Sequence, residues 1–252
     1  MTQVTSYWQN LVKPGVTALV GAGGKTTILT KLVEYGLFKG QATLVTTTTK
    51  LYGTQVEQWN PYYGTDFEGG QAYAKDRIHA GKAAAWFSAL EGGKAQALST
   101  DTINHIATLN PGWQILVEAD GAKEKWLKAP KKQEPVIPKC TNRTIGVINL
   151  AMLGQALDHD HVHNLEEVLA ILGQEEGALM TPALMARLIL HPHGLFQYSA
   201  GEKVLFCTGY DVADAASVHD LVSLLGDSFI ESIVLAEGYK VSCQIKKVIQ
   251  CR

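Results

Sequence analysis

Seven consecutive residues, Gly21-Ala22-Gly23-Gly24-Lys25-Thr26-Thr27, have the types and order that phosphate chemistry asks for. Glycines let successive main-chain N–H groups face anionic oxygens with no Cβ in the way. A helix that begins there adds unpaired donors and a partial positive charge. Lys25 is placed to reach the β- and γ-phosphates, and the Thr26 hydroxyl to ligate Mg²⁺. Against the pattern G-x-x-x-x-G-K-[ST], the first glycine falls on Leu19, so the loop is a shortened form. The plainer use of the same residues is a glycine turn that joins a strand to a helix.

A second stretch, Ile115-Leu116-Val117-Glu118-Ala119-Asp120-Gly121, is an apolar run that ends in two carboxylates. Such a strand end binds Mg²⁺ directly or through water in phosphoryl-transfer proteins. Glu118 and Asp120 alternate along the run and so point the same way. One would contact the metal and the other orient water or substrate, giving a catalytic set of Lys25, Glu118 and Asp120 and a metal set of Thr26, Glu118 and Asp120.

Three further groups are candidates for a second substrate or for the base. Thr46, Thr47 and Thr48 sit with Thr49 at the end of the run Ala42–Val45, where ligands gather in open α/β sheets. Lys128 and Glu134 lie in a long lysine- and proline-rich loop, 122–138, and irregular loops of that length within compact domains usually carry function. Asp211, in Thr208-Gly209-Tyr210-Asp211, occupies the place of the base-reading aspartate of [NT]-K-x-D, although Gly209 replaces the lysine. His159, His161 and His163 alternate, and His191 and His193 flank a proline. Imidazoles at such spacings could ligate metal, but spacing alone does not bring the two groups together.

The elements that must hold these residues can be read from periodicity. Strands are predicted at Val16–Val20, Ala42–Val45, Ile115 onward, Thr144–Leu150, Lys203–Cys207 (followed by T-G-Y-D) and Phe229–Ala236, with an edge strand over Tyr239–Ile249. Helices are predicted over Thr2–Val12, from Thr26 to the glycines at 36 and 40, over Asp101–Leu109, Asn164–Leu172, Thr181–Leu190 and Ala213–Leu225. Asn164 and Thr181 stand at N-cap positions and Pro182 in a first turn. The alternation of strands and helices implies a three-layer α/β fold of the P-loop NTPase kind with a mainly parallel sheet. We expect one such domain over residues 1–252, with a variable, lid-like region at about 51–99.

Composition narrows the function. Hydrophobic residues make up 46% of the 252 and charged residues 18%, so a large core is available and disorder is not expected. The formal net charge is −2 with no long basic run, which argues against nucleic acid as a partner. No apolar stretch reaches membrane-spanning length, and no membrane partner is expected. Cys140, Cys207, Cys243 and Cys251 are scattered, as free thiols in a reducing cytoplasm would be. Only four arginines occur, Arg77, Arg143, Arg187 and Arg252, which matters because phosphoryl transfer often uses an arginine on the transferred group.

Several of these motifs occur together in one family. G-A-G-G-K-T-T, L-V-T-T-T-T-K, V-E-A-D-G, L-K-A-P-K-K-Q-E-P-V-I-P, H-P-H-G-L and V-L-F-C-T-G-Y-D resemble the YqeC family, the selenium-dependent hydroxylase accessory proteins, over roughly Val16 to Asp211. His163-Asn164-Leu165-Glu166 stands where that family has H-R-P-E. The resemblance implies a P-loop fold and a role in maturing selenium-dependent molybdenum hydroxylases, with the hydroxylase or its cofactor as partner. The expected ligands are Mg²⁺ and ATP or GTP, the base being open. The expected function is that of an NTP-dependent accessory factor, an NTP hydrolase or NTP-dependent transferase. A nucleotide-gated delivery protein with little turnover is the alternative, and a small-molecule kinase or a Mur-like ligase is the third.

Overall fold

The strands follow the apolar runs, because a parallel strand covered on both faces must be apolar along its whole length. The computed structural model describes residues 3–239 and 242–251. In chain order the elements begin α1 (Gln3–Leu11), β1 (Gly15–Gly21), α2 (Lys25–Phe38) and β2 (Thr43–Thr47). There follow β3 (Leu51–Tyr52), α3 (Gly53–Val56), β4 (Tyr62–Tyr63), α4 (Phe67–His79) and β5 (Ala84–Phe87). Next are β6 (Leu90–Glu91), β7 (Lys94–Ala95), α5 (Thr100–Leu109), β8 (Gln114–Glu118) and β9 (Leu127–Lys128). The rest comprises β10 (Thr141–Asn149), β11 (Val162–His163), α6 (Leu165–Leu172), α7 (Pro182–Leu190), β12 (Glu202–Thr208), α8 (Ala215–Leu225), β13 (Ser232–Glu237) and β14 (Gln244–Gln250).

Among the described residues, nine strands form one sheet in the order β14-β13-β12-β10-β1-β8-β2-β5-β4. The pairs β1/β8, β2/β8, β2/β5, β4/β5 and β12/β13 are parallel, and β13/β14 is antiparallel. This is the expected three-layer α/β fold with a mainly parallel sheet, and the last strand lies at its edge as predicted. Residues 240 and 241 of that predicted strand, and Thr2 of the predicted first helix, lie outside the described residues. No helix among the described residues is long and apolar enough to cross a membrane. Cys140, Cys207 and Cys251 are free thiols, and complete burial pushes the Cys207 thiol up.

The chain divides into two compact units. The first comprises Met1–Leu19, Leu29–Gly121 and Val136–Arg143. Its strands β2 and β8 are buried at every residue. Leu19 of β1 and Thr47 of β2 both register with Glu118 of β8. The Gln114 amide donates to Leu32 O and Thr43 Oγ1, so one buried side chain ties α2, β8 and β2 together. Arg143 donates to Leu11 O at 2.7 Å, and Arg77 to Ala83 O and Trp59 O. The region expected as lid-like supplies β4 and β5 of the main sheet, helix α4, and the small antiparallel sheet β3-β7-β6. Trp86 of β5 is fully buried in the core with Val16, Leu44, Ala74, Ile103 and Ile115.

The second unit comprises Val20–Ile28, Ala122–Pro135 and Thr144–Arg252. It holds β12, β13 and β14, the helices α6, α7 and α8, and the two-stranded parallel sheet β11-β9. Thr181 caps α7 through Leu184 N at 3.2 Å, with Pro182 opening the helix. Asn164 sits at the N-cap of α6 in the left-handed region (φ 57°), and its side chain makes no cap there. It donates instead to Ala129 O at 2.8 Å. The expected capping role is therefore positional, and the amide is spent on the preceding loop.

Candidate functional site

The glycine loop lies in the second unit, between the end of β1 and the start of α2. Gly21, Gly23 and Gly24 have φ of 91°, 89° and 132°, a region that side chains disfavour. Crowding adds to this at Gly23, where a Cβ would stand 2.6 Å from Asn149 Cβ and 2.9 Å from Trp126 O. Ala22 N donates to Val147 O at 3.0 Å, and Ile28 N to Gly24 O at 3.0 Å, the latter being the first turn of the helix. Thr208 Oγ1, from the end of β12, donates to Gly23 O at 2.5 Å. Thr27 Oγ1 donates to Tyr239 O at 2.6 Å. The loop is thus fixed by β10 through a main-chain bond, by β12 through the Thr208 hydroxyl, and by the segment after β13 through the bond from the Thr27 hydroxyl.

Lys25 is 4% exposed and folds back over this loop, donating to Gly21 O at 2.6 Å. Thr26 is half-buried in the first turn of α2. A buried lysine costs desolvation unless it is paired or hydrogen-bonded. For Lys25 the bond to Gly21 O supplies part of that compensation, within a turn of three left-handed glycines.

A second cationic group lies in the same unit. Lys128 has a side-chain exposure of 1% and pairs with Glu134 Oε2 at 3.0 Å. Glu134 is anchored in turn, because Gln197 Nε2 donates to Glu134 O at 2.6 Å and to Lys131 O at 3.0 Å. Gln197 Oε1 lies 2.9 Å from His193 Nδ1. In the β9/β11 ladder Lys128 registers with His163. Burial pushes His163 down to about 4, helped by Lys128, Lys123 and Lys25 and opposed by Glu134. These five groups therefore share one electrostatic neighbourhood, and the half-buried imidazole in it is neutral at pH 7.

An aromatic group borders the loop. Trp126 Nε1 donates to Tyr239 Oη at 3.3 Å, and the indole packs on the His161 ring at 4.7 Å. His161 Nδ1 pairs with Asp158 Oδ1 at 2.7 Å. Asn149 N donates to Trp126 O at 3.3 Å, while Asn149 Oδ1 caps Ala151 N at 2.9 Å. Among the described residues, no group of three or more His, Cys, Asp or Glu is arranged to hold a metal. The five singled-out histidines are therefore not a metal cluster. His161, His163 and His193 go to an aspartate, a lysine ladder and a glutamine.

Asp211 sits in the turn after β12, exposed, with its Oδ1 accepting from Gly238 N at 2.8 Å. Tyr210 N donates to Ala236 O at 3.0 Å. The turn after β12 is thereby laced to the turn after β13.

In the first unit, Glu118 closes β8 and Asp120 stands two residues on, and both are buried at 6% and 2% exposure. The threonine row beside them is occupied. Thr46 Oγ1 donates to Trp86 O, Thr47 Oγ1 to Glu118 O and Thr48 Oγ1 to Val136 O, each at 2.7 Å, and Thr49 N donates to Thr47 Oγ1 at 3.1 Å. The hydroxyls cross-link strand ends.

Sequence reading missed Asn149, Thr208, Trp126, Tyr239 and Gln197, and it named His163 only as one of a run. Thr208 and Asn149 carried a usable signal, since both are polar residues closing apolar strands. Gln197 carried none.

A three-layer α/β protein whose glycine turn carries a buried lysine from strand into helix is the class that fold and loop define. Comparison narrows it. A family model described as YqeC protein matches residues 17–166, a span that takes in the glycine loop, both acids, the Lys128–Glu134 pair and His163, and the chain belongs to that family. The "Uncharacterized protein YqeC" of Escherichia coli (strain K12) is 29% identical over 187 residues, covering 73% of this chain and 71% of that protein.

Proposed function

We propose that Gly21–Thr27 binds the phosphates of a Mg²⁺-bound nucleoside triphosphate, ATP or GTP, and that the protein is an NTP-dependent accessory factor. One observation carries this reading, the buried Lys25 ammonium bonded to Gly21 O in a turn of three left-handed glycines at a helix start. Lys25 would meet the β- and γ-phosphates and Thr26 the metal. For Glu118 and Asp120 the proposal of a metal or water-orienting role rests on their sequence pattern and their burial. Lys128 and Glu134 would face the second substrate, and Asp211 the base. A role in maturing selenium-dependent molybdenum hydroxylases is proposed on the family resemblance alone.

A slower, gated delivery role is the second reading, and the arginines favour it. Arg77 and Arg143 spend guanidinium donors on main-chain carbonyls of the first unit.

Thermal unfolding with ATP, GTP and CTP plus Mg²⁺ tests the phosphate site. Ligand at a hundredfold over its dissociation constant stabilises by about 2.7 kcal/mol, which for this chain length raises Tm by roughly 5–10 °C. The shift is expected for one base class and lost in Lys25→Ala. No shift with any nucleotide refutes the reading, and turnover of the bound nucleotide separates the two variants of it.

A further inference from the structure

The glycine loop has one lysine of its own, yet the second unit places another beside it. Trp126 O abuts Gly23 so closely that a Cβ there would stand 2.9 Å from it. Lys128 follows two residues later, an extended rise of about 7 Å. Trp126 N and Leu127 N both donate to His161 O, and Lys128 registers with His163, so this segment is held as a strand. Lys128 is buried, and Glu134 fixes its ammonium at 3.0 Å. Gln197 in turn holds the main chain at Glu134.

A lysine kept in place by a glutamate is how protein kinases present a cation to nucleotide phosphates. An ammonium carries three donors and can bridge a carboxylate and a phosphate at once. We propose that Lys128 is a second phosphate-contacting cation, positioned by Glu134, whose ammonium donates to the terminal phosphoryl oxygens and neutralises the charge that builds there during transfer. This rests on the phosphate-site reading of Gly21–Thr27. In hydrolysis, water adds to the γ-phosphorus and the bond to the β–γ bridging oxygen breaks. The diphosphate leaves with that electron pair, and the water's proton passes to solvent. Lys128 keeps its proton throughout and acts by charge and hydrogen bonding. It supplies in cis what an arginine supplies in other phosphoryl-transfer sites. The neutral His163 beside it adds no competing cation.

The test compares binding of Mg²⁺ and nucleoside diphosphate with and without aluminium fluoride, by calorimetry, using the base that stabilises the wild type. Transition-state analogues bind at least about 100-fold tighter than ground-state ligands. Wild type is expected to show that gain. Lys128→Met should keep diphosphate affinity within about threefold and lose most of the fluoride gain, because uniform binding is untouched and only transition-state contacts go. Lys128→Arg should recover part of the gain, a rescue that a packing role would not give. Should Lys128→Met fail to fold, Glu134→Gln leaves the lysine in place and removes its anchor, and it should lower the fluoride gain without weakening the diphosphate.

A wild-type fluoride gain kept intact in Lys128→Met, or in Glu134→Gln where the methionine variant does not fold, overturns the proposal. So does a wild type that binds diphosphate with no fluoride gain. A wild type that binds no diphosphate at all overturns the phosphate-site reading itself, which separates the two failures.

Discussion

Acidification reports on the cationic cluster without any ligand. His163 faces Lys128, Lys123, Lys25 and Glu134, and burial plus the three ammonium groups hold its pKa at about 4 against 6.5 in an unfolded chain. Between those two values the unfolded chain binds a proton that the folded chain refuses. Stability from this group is therefore complete above about pH 6.5 and is lost as pH falls toward 4. At about 1.4 kcal/mol per unit the depression would be worth about 3.4 kcal/mol, but the ring is only half-buried, and solvent screening reduces this to about 1–2 kcal/mol. Two assays check it. Proton NMR of the imidazole Cε1–H should titrate one histidine, absent in His163→Gln, near pH 4. Urea unfolding at pH 7.5 and 5 should lose about 1 kcal/mol more in wild type than in His163→Gln. Lys128→Met removes a like charge and must move the His163 midpoint upward, without restoring 6.5, since burial remains the first cause. A wild-type midpoint near 6.5, or one that Lys128→Met leaves unmoved, refutes the shared neighbourhood of Lys128 and His163.

Two glycine substitutions separate loop from scaffold. Gly23→Ala would force a side chain to φ 89° and to within 2.6 Å of Asn149 Cβ; left-handed strain of about 1–2 kcal/mol and overpacking of about 1–3 kcal/mol should lower Tm by roughly 5–15 °C and abolish any nucleotide shift. An unchanged melt with an intact shift would mean that the loop is not the rigid element described. Gly70→Ala drives a Cβ to 2.0 Å from the buried Trp86 ring, whose Nε1 is tied to Gly64 O; it should cost about 1–3 kcal/mol yet leave the nucleotide-induced rise in Tm in place. Loss of that rise in Gly70→Ala would show that the loop depends on the α4–β5 packing.

Much of the sheet was legible because its strands are buried on both faces and so read as unbroken apolar runs. Helix α4 was not. Its sequence Phe67–His79 has a weak apolar stripe, because the residues it buries are Gly70, Gln71 and Ala74, two small and one polar. Small residues let the Trp86 ring approach, and a hydrophobic pattern does not count a missing side chain. A local cue was present nonetheless, since Asp66 accepts from Gly69 N at 2.8 Å as an N-cap. Likewise the threonine row displayed four hydroxyls but not the carbonyls of β5, β8 and the 136 segment that they meet, and those partners depend on strand order.

The site divides along the same line between local and long-range information. The turn at Gly21–Thr27 was readable as a strand-to-helix junction because its glycines and its lysine are contained in seven consecutive residues. The partners of Lys128 were not, because two short strands bring Lys128 beside His163 across 35 positions with no periodicity to announce them. Read in sequence, His163 was one histidine of three in a polar run. Its place opposite a buried lysine makes it the one whose titration carries information. Lys128 and Glu134 were visible only as charges in a loop, where a solvated role is the common outcome. A side-chain exposure of 1% excludes that outcome for the lysine, since a fully buried ammonium persists only when its surroundings repay its desolvation. Glu134 supplies part of that repayment at 3.0 Å. A hydrophobic residue of similar volume would fill the same space at lower cost, so packing alone does not account for a lysine there. The phosphate contact proposed for Lys128 gives that cation a function, and the fluoride comparison in Lys128→Met tests it.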